Sequence, residues 1–242
     1  NPVNQEMGRK FKISFSSTDE DTAYSFIHDL GYIPRIVDGK RGFKVLIGGG
    51  LGANPYLAIP VYEFLEEDQV IPFTEAVLRV FDRYGERNRR MKARMKFLLG
   101  DIGLEEMMRL VKEEWNALPY KSYQFDLDAL PQPKLSDYTP SEPAVITDEK
   151  KYRQWFETNV IKQKQSGYYA VYVKLPLGNM SSKLARKFAD VVDQYASEEL
   201  RVTVNQGYLI RFVREDVIKH LYVALDALAL AEPGFDSVGD IT

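Results

Sequence analysis

No cysteine occurs anywhere in the 242 residues. The chain therefore cannot by itself build a disulfide scaffold, a thiolate metal site or the ligand set of an iron–sulfur cluster. His28 and His220 are its only histidines, which also excludes zinc or non-haem iron sites built on several imidazoles. Any stable core must come from apolar packing. A hydrophobic content of 45% with 28% charged residues is enough for that and typical of a globular chain. The formal net charge of −3 offers no global basic field for nucleic acid. No apolar run approaches the roughly 18 residues of a membrane span. The start Asn1-Pro2-Val3-Asn4-Gln5 lacks an apolar signal core, so a cytoplasmic address is expected. It also lacks an initiator Met.

A stretch holding Pro131, Pro133, Pro140 and Pro143 among Ser, Thr and Asp reads as an extended linker over 131–150. It divides the chain into a mixed region, 1–130, and a second region, 151–242. In the first, Lys10 to Ser16 alternates with a period of two, placing Phe11, Ile13 and Phe15 on one strand face and Lys10, Lys12, Ser14 and Ser16 on the other. A helix is expected from Thr18 to Leu30, stopped by Gly31. Tyr32–Val37 and Gly42–Ile47 predict a hairpin around Asp38-Gly39. Gly48 to Gly52 then breaks regular structure, and helices follow from Thr74, from Asn88 to Leu99 and from Leu104 to Trp115. In the second region, Lys151–Val160 predicts a short helix. Beyond it the order is strand Tyr168–Leu175, helix Ser181–Tyr195, strands Arg201–Val204 and Tyr208–Val213, and helix Asp216–Leu230. That is a ferredoxin-like split βαβ unit without its last strand, so the fold class is α+β.

Gly48 to Ala53 can be written G-x-G-x-x-A, a variant of the dinucleotide fingerprint, but Asn54-Pro55 follows where a helix should open. Composition favours a plain turn, although successive backbone N–H groups can also form an anion nest. Arg87, Arg89, Arg90, Lys92, Arg94 and Lys96 form a basic run that reads as a solvated helix face neutralised by the acidic helix after it. Lys10 and Lys12 lie two residues apart on one strand face. At about 4 Å and an effective dielectric of about 20, each gains roughly 4 kcal/mol from a bound anion before desolvation. The residues alone favour a lysine-protected edge strand instead.

Arg9-Lys10-Phe11-Lys12, His28-Asp29-Leu30-Gly31-Tyr32-Ile33 and Gly42 to Gly52 occur in an order and spacing that resemble the siroheme-dependent nitrite and sulfite reductases. Asn88-Arg89, Lys92-Ala93-Arg94 and Lys96-Phe97-Leu98 continue the likeness. Val173 to Asn179 and Leu200 to Gln206 are similar to that family's second ferredoxin-like half-domain.

The resemblance implies a nitrite/sulfite reductase siroheme/4Fe–4S-type domain over 1–130 and a ferredoxin-like half-domain over 151–242. It implies that Lys10 and Lys12 bind the nitrite or sulfite anion and that Arg9 pairs with siroheme carboxylates. Gly48, Gly49, Gly50, Asn205 and Gln206 would lie along the cofactor or the domain interface. The electron donor would be ferredoxin or a flavoprotein. The family's cluster cysteines and first half-domain are absent, and the end Gly239-Asp240-Ile241-Thr242 resembles the lead into the first cysteine pair. The expectation is a central piece of a longer enzyme, inactive alone and holding neither siroheme nor a 4Fe–4S cluster. Two rivals stand beside it. One is a non-catalytic binding or assembly module that kept the fold without the redox centre; the other is a nucleotide-binding enzyme using Gly48 to Ala53.

Overall fold

The computed structural model describes residue 7 and residues 9–126, 128–130, 132–238 and 240. The stretches that carried the reading of the two chain ends, Asn1 to Gln5 and Ile241-Thr242, lie outside them, as do Pro131 and Gly239. The chain divides into two compact units, Asn1–Ala129 and Leu130–Thr242.

In the first unit four strands pair in the order β1 (Ile13–Phe15), β2 (Leu30–Val37), β3 (Lys40–Ile47), β4 (Ile59–Glu66). β1 is parallel to β2, and the other pairs are antiparallel. The β2–β3 hairpin turns at Asp38 and Gly39, both at positive φ (51° and 77°), the backbone an Asp-Gly pair supplies at least cost. Three helices, α1 (Val70–Tyr84), α2 (Met95–Ile102) and α3 (Leu104–Ala117), follow. α1 buries Val70, Phe73, Val77, Val80 and Phe81 at helical spacing against Leu30, Tyr32, Val45 and Ile47 of the sheet. It starts four residues earlier than Thr74, with Pro72 inside its first turn, where a backbone N–H has no intrahelical partner to lose.

The expected helix from Thr18 to Leu30 does not form. Asp21 and Tyr24 adopt left-handed φ (54° and 51°), and the Asp21 carboxylate accepts from the Ser25 N–H at 2.9 Å, a local bond that competes with helix. Only a single 3₁₀ turn, Ser25–Ile27, remains. Gly31 is a strand residue, and a Cβ there would sit 2.7 Å from the Ser25 carbonyl oxygen, so glycine lets this turn pack on β2. The turn covers the serine face of β1, burying Ser14 and Ser16. The phenylalanine face points to the core, with Phe11 on Phe81 and Phe15 stacked on Tyr32, yet Phe15 stays 52% exposed at the sheet edge. β4 escaped the sequence reading because Pro60 interrupts it; as an edge strand it tolerates the proline.

The second unit holds α4 (Glu149–Asn159), β5 (Val160–Lys162), β6 (Tyr168–Val173), α5 (Ser182–Tyr195), β7 (Leu200–Val202), β8 (Tyr208–Arg214) and α6 (Ile218–Ala227). Its sheet runs β5-β6-β8-β7, all antiparallel. This is the ferredoxin-like order. The strand missing at the end of the split βαβ unit is replaced by β5, which precedes it in sequence and takes the vacant edge. Trp155, Val171, Val173, Phe188, Ile210 and Leu221 fill the core.

Among the described residues the proline-rich stretch has no helix or multi-residue strand over 132–148, but it does not hang free. Ser136 N–H bonds the Ala196 carbonyl at 2.7 Å, Arg214 donates to the carbonyls of Ser136 (3.3 Å) and Tyr138 (2.6 Å), and Tyr138 packs on Tyr195. His220 Nε2 meets the Glu142 carbonyl at 2.9 Å. The stretch is a strap fastened to the second unit, anchored by residues some 60–80 positions away that composition cannot reveal.

Two outcomes follow. Arg214→Ala should open 136–147 to limited proteolysis several-fold faster with little loss of global stability, as local opening is governed by local contacts. Gly49→Ala should lower the denaturation midpoint, costing about 1–3 kcal/mol, because its Cβ would meet the rigid Phe26 and His28 carbonyls at 2.5 and 2.6 Å. Gly100→Ala, helical with nothing within 4 Å, should shift the midpoint the other way.

Candidate functional site: a carboxylate-free cationic cleft

Asp29 sits at the entry to β2 with no exposed surface. Its carboxylate receives Arg94 in a two-pronged pairing, Nη2 to Oδ2 at 2.8 Å and Nε to Oδ1 at 3.3 Å, and Oδ2 also accepts the Lys12 backbone N–H at 2.9 Å. The Asp29 carbonyl accepts the Gly48 N–H at 2.8 Å. One buried residue thus ties together the lysine strand, the glycine loop and the segment leading into α2. A planar guanidinium suits the two carboxylate oxygens, and the remaining lone pair goes to Lys12.

Lys96 enters the same region from α2. It is 4% exposed, and its ammonium donates to the carbonyls of Leu51 (3.1 Å), Gly50 (3.5 Å) and Asn54, with the rings of Tyr56 and Phe97 at 5.5 and 5.1 Å. Burial pushes its pKa below the ordinary lysine value; the neighbouring Arg94 charge adds to that and Asp29 opposes it. Residues 51–54 of this loop are exposed, and the buried ammonium beneath them gives the loop three hydrogen-bonded anchor points. Gly50 leaves room for the approach: a Cβ there would meet Lys96 Cδ at 3.2 Å.

These elements enclose a cleft of about 240 Å³ lined by Arg9, Lys92, Arg94, Lys96, Phe97 and loop 51–54, with no carboxylate in its lining. Arg9 is held there by donating to the Arg90 carbonyl at 2.6 Å. Among the described residues, two larger clefts of this unit carry fewer unpaired cations: exposed Lys112 in the first and none in the second. In the first, about 370 Å³, Lys121 caps α3 by bonding three carbonyls. In the second, about 350 Å³, Lys40 and Arg41 pair with Glu66 and Glu67.

Lys10 and Lys12 are exposed and lie outside the lining of the 240 Å³ cleft. Among the described residues no carboxylate pairs with Arg9, Lys10, Lys12, Arg90 or Lys92. Clustered like charges of this kind favour an anion. The glycine run does not act as an open nest: Gly48 N–H goes to Asp29, and Gly50 N–H goes to the Tyr56 carbonyl at 2.9 Å. Its contribution is close backbone approach. Asn205 and Gln206 belong to the second unit, where Asn205 Nδ2 donates to Asp236 at 2.9 Å and Gln206 takes a left-handed φ of 60° in the turn before β8.

The basic run is not a uniform solvated face. Arg87 pairs with Asp82 and Arg89 with Glu86 nearby, whereas Arg94 and Lys96 turn inward. The acidic α3 does not neutralise it; Glu114 pairs with Arg79 and Arg83 of α1, and Glu106 and Glu113 pair with Arg109 of α3 itself. Asp29, Arg94 and Lys96 carry no functional mark in the sequence beyond the segments of resemblance that contain them. Among the described residues no group of His, Asp and Glu could hold a metal ion.

Comparison with known proteins fits this picture. Residues 1–118 match the family model of the nitrite and sulphite reductase 4Fe-4S domain, and residues 161–228 match the nitrite/sulfite reductase ferredoxin-like half domain. Relatives include the chloroplastic ferredoxin–nitrite reductase of Oryza sativa, 28% identical over 91% of this chain and 34% of its own length. Sulfite reductase [ferredoxin] 1 of Mycolicibacterium paratuberculosis is 28% identical over 95% of this chain and 37% of its own. The solved NirA protein of Mycobacterium tuberculosis superposes with a TM-score of 0.69 at 27% identity, over 95% of this chain and 38% of NirA. The chain thus spans little more than a third of the length of these relatives. With both of its units matched in order, and a cationic cleft where the first match lies, the chain belongs to the nitrite and sulfite reductase family.

Proposed function

We propose that this chain is the central piece of a siroheme- and 4Fe–4S-dependent reductase that converts nitrite to ammonia or sulfite to sulfide, and that it is inactive alone. The observation that carries the reading is the set of unpaired cations beside a carboxylate-free cleft, on the unit matched to the family's 4Fe-4S domain. Siroheme carries many carboxylates, and Arg9 and Lys92 are suited to pairing with them. When bound, the siroheme and its coupled cluster supply the iron chemistry and the electrons. No residue here fits the cluster, since the chain has no cysteine; its ligands belong to other parts of the polypeptide.

The roles of this chain's own residues follow from their chemistry. Lys10 and Lys12 attract the oxyanion and place protons where oxygen leaves, which an ammonium does as a compact donor. Gly48, Gly49 and Gly50 let the loop fold back closely, so that its edge can run along a planar cofactor. Asn205 and Gln206 are proposed as cofactor or interface contacts of the second unit. The expected donor is ferredoxin or a flavoprotein, and the ferredoxin dependence named for the plant and mycobacterial relatives favours the first. Among the described residues no helix is long and apolar enough to cross a membrane.

In the full-length enzyme, Lys10→Ala and Lys12→Ala should each lower turnover about a hundredfold, the scale of a lost proton donor, with unchanged thermal midpoints. Unaltered kinetics in both would return the pair to edge-strand protection. Gel filtration of this chain after incubation with siroheme should show no haem absorbance at the protein peak; a bound-haem spectrum there would contradict its incompleteness.

A further inference from the structure

The two lysines two residues apart are equivalent in the sequence, but their mounts differ. Lys12 lies one residue before β1, where strand pairing alone does not secure it. Both of its backbone groups are nevertheless engaged: N–H to Asp29 Oδ2 at 2.9 Å and carbonyl to the Leu30 N–H at 3.1 Å. Asp29 is fully buried and Arg94 side-chain exposure is 10%, so this clamp is shielded from water. Lys10 has no comparable backbone bond among the described residues, and the Arg9 side chain beside it rests on the Arg90 carbonyl.

A buried carboxylate–guanidinium pair is costly to assemble and adds little net stability compared with apolar residues of the same size. Here it supplies something an apolar pair cannot, an acceptor aimed at the Lys12 backbone. Its other two donors both come from Arg94, which enters the cleft itself. The carboxylate is therefore satisfied by one group that lines the cleft and one that carries an anion-binding lysine.

We propose that Asp29 is a positioning residue of the reductase: through the Lys12 backbone it fixes that lysine toward the anion, while Arg94 holds the Asp29 carboxylate in place. This rests on the reading of Lys12 as an anion-binding group. It makes Lys12 the preorganised member of the pair and Lys10 the adaptable one. Preorganisation of this kind acts on the reaction without touching the reacting atoms.

The test is a double-mutant cycle in the full-length, siroheme-loaded enzyme, with siroheme loading checked by absorbance. Asp29→Leu is made together with Arg94→Met, so that no buried guanidinium is left unpaired. The expected result is a rise in KM for the anion of about tenfold in the parent and in Lys10→Ala, and a rise smaller than about twofold in Lys12→Ala, because coupled residues are non-additive. Equal rises in all three backgrounds would overturn the positioning role while leaving the lysine reading intact. A Lys12→Ala enzyme with parental kinetics would instead overturn the lysine reading. If the paired substitution fails to fold, hydrogen exchange of the parent enzyme decides: the Lys12 amide should be protected at least about tenfold more than that of Lys10. Equal exchange at both positions would overturn the clamp.

Discussion

The buried contact between Asp29 and Arg94 is the constraint on which the first unit's site depends. It joins residues 65 positions apart and sits where three chain segments with little regular structure meet: the approach to β1, the turn into the glycine loop, and the lead into α2. A pair taken out of water loses several kcal/mol of hydration per ion and recovers it only with satisfied geometry. That geometry is present, since both carboxylate oxygens and the Asp29 carbonyl are engaged. Lys96 adds a second interior cation whose neutralisation comes from three loop carbonyls instead of a carboxylate. The cleft is left with positive charge that nothing in its own lining cancels.

Much of the architecture was legible because it rests on short-range signals. The Asp38-Gly39 hairpin, the helical spacing through Val77, Val80 and Phe81, and the Ser181 cap ahead of α5 each state their structure locally. The misreadings arise where a side-chain bond or a tertiary contact overrides the local pattern. Thr18 to Leu30 has the acidic start of a helix, yet the Asp21 side chain captures the Ser25 N–H and turns the chain over β1. β5 is three residues long and exists because the edge beside β6 is open, a fact of sheet assembly. The strap over 132–147 has the composition of a linker, yet residues far along the chain hold it, among them Ala196, Arg214, Tyr195 and His220.

The candidate site divides the same way. Lys10 and Lys12 were visible as a charged pair because strand periodicity places them on one face. The residues that organise the site were not, because Asp29 and Arg94 mean little until they are seen in contact. Arg94 and Lys96 were absorbed into a basic run whose even appearance hides a change from paired surface arginines to interior cations. The glycine run was legible as a break but not in its purpose: two of its amides serve internal bonds, and the absence of side chains lets the backbone lie against Phe26 and His28. The missing cysteines were plain from the composition alone.

The most direct measurement is a crystal structure of the full-length, siroheme-loaded enzyme with nitrite or sulfite bound. The account predicts the Lys12 ammonium within hydrogen-bond reach of the anion, with the Asp29–Arg94 pair intact behind it and Arg9 against a siroheme carboxylate. An anion held solely by residues outside this chain, with Lys10 and Lys12 both turned to solvent, would contradict it.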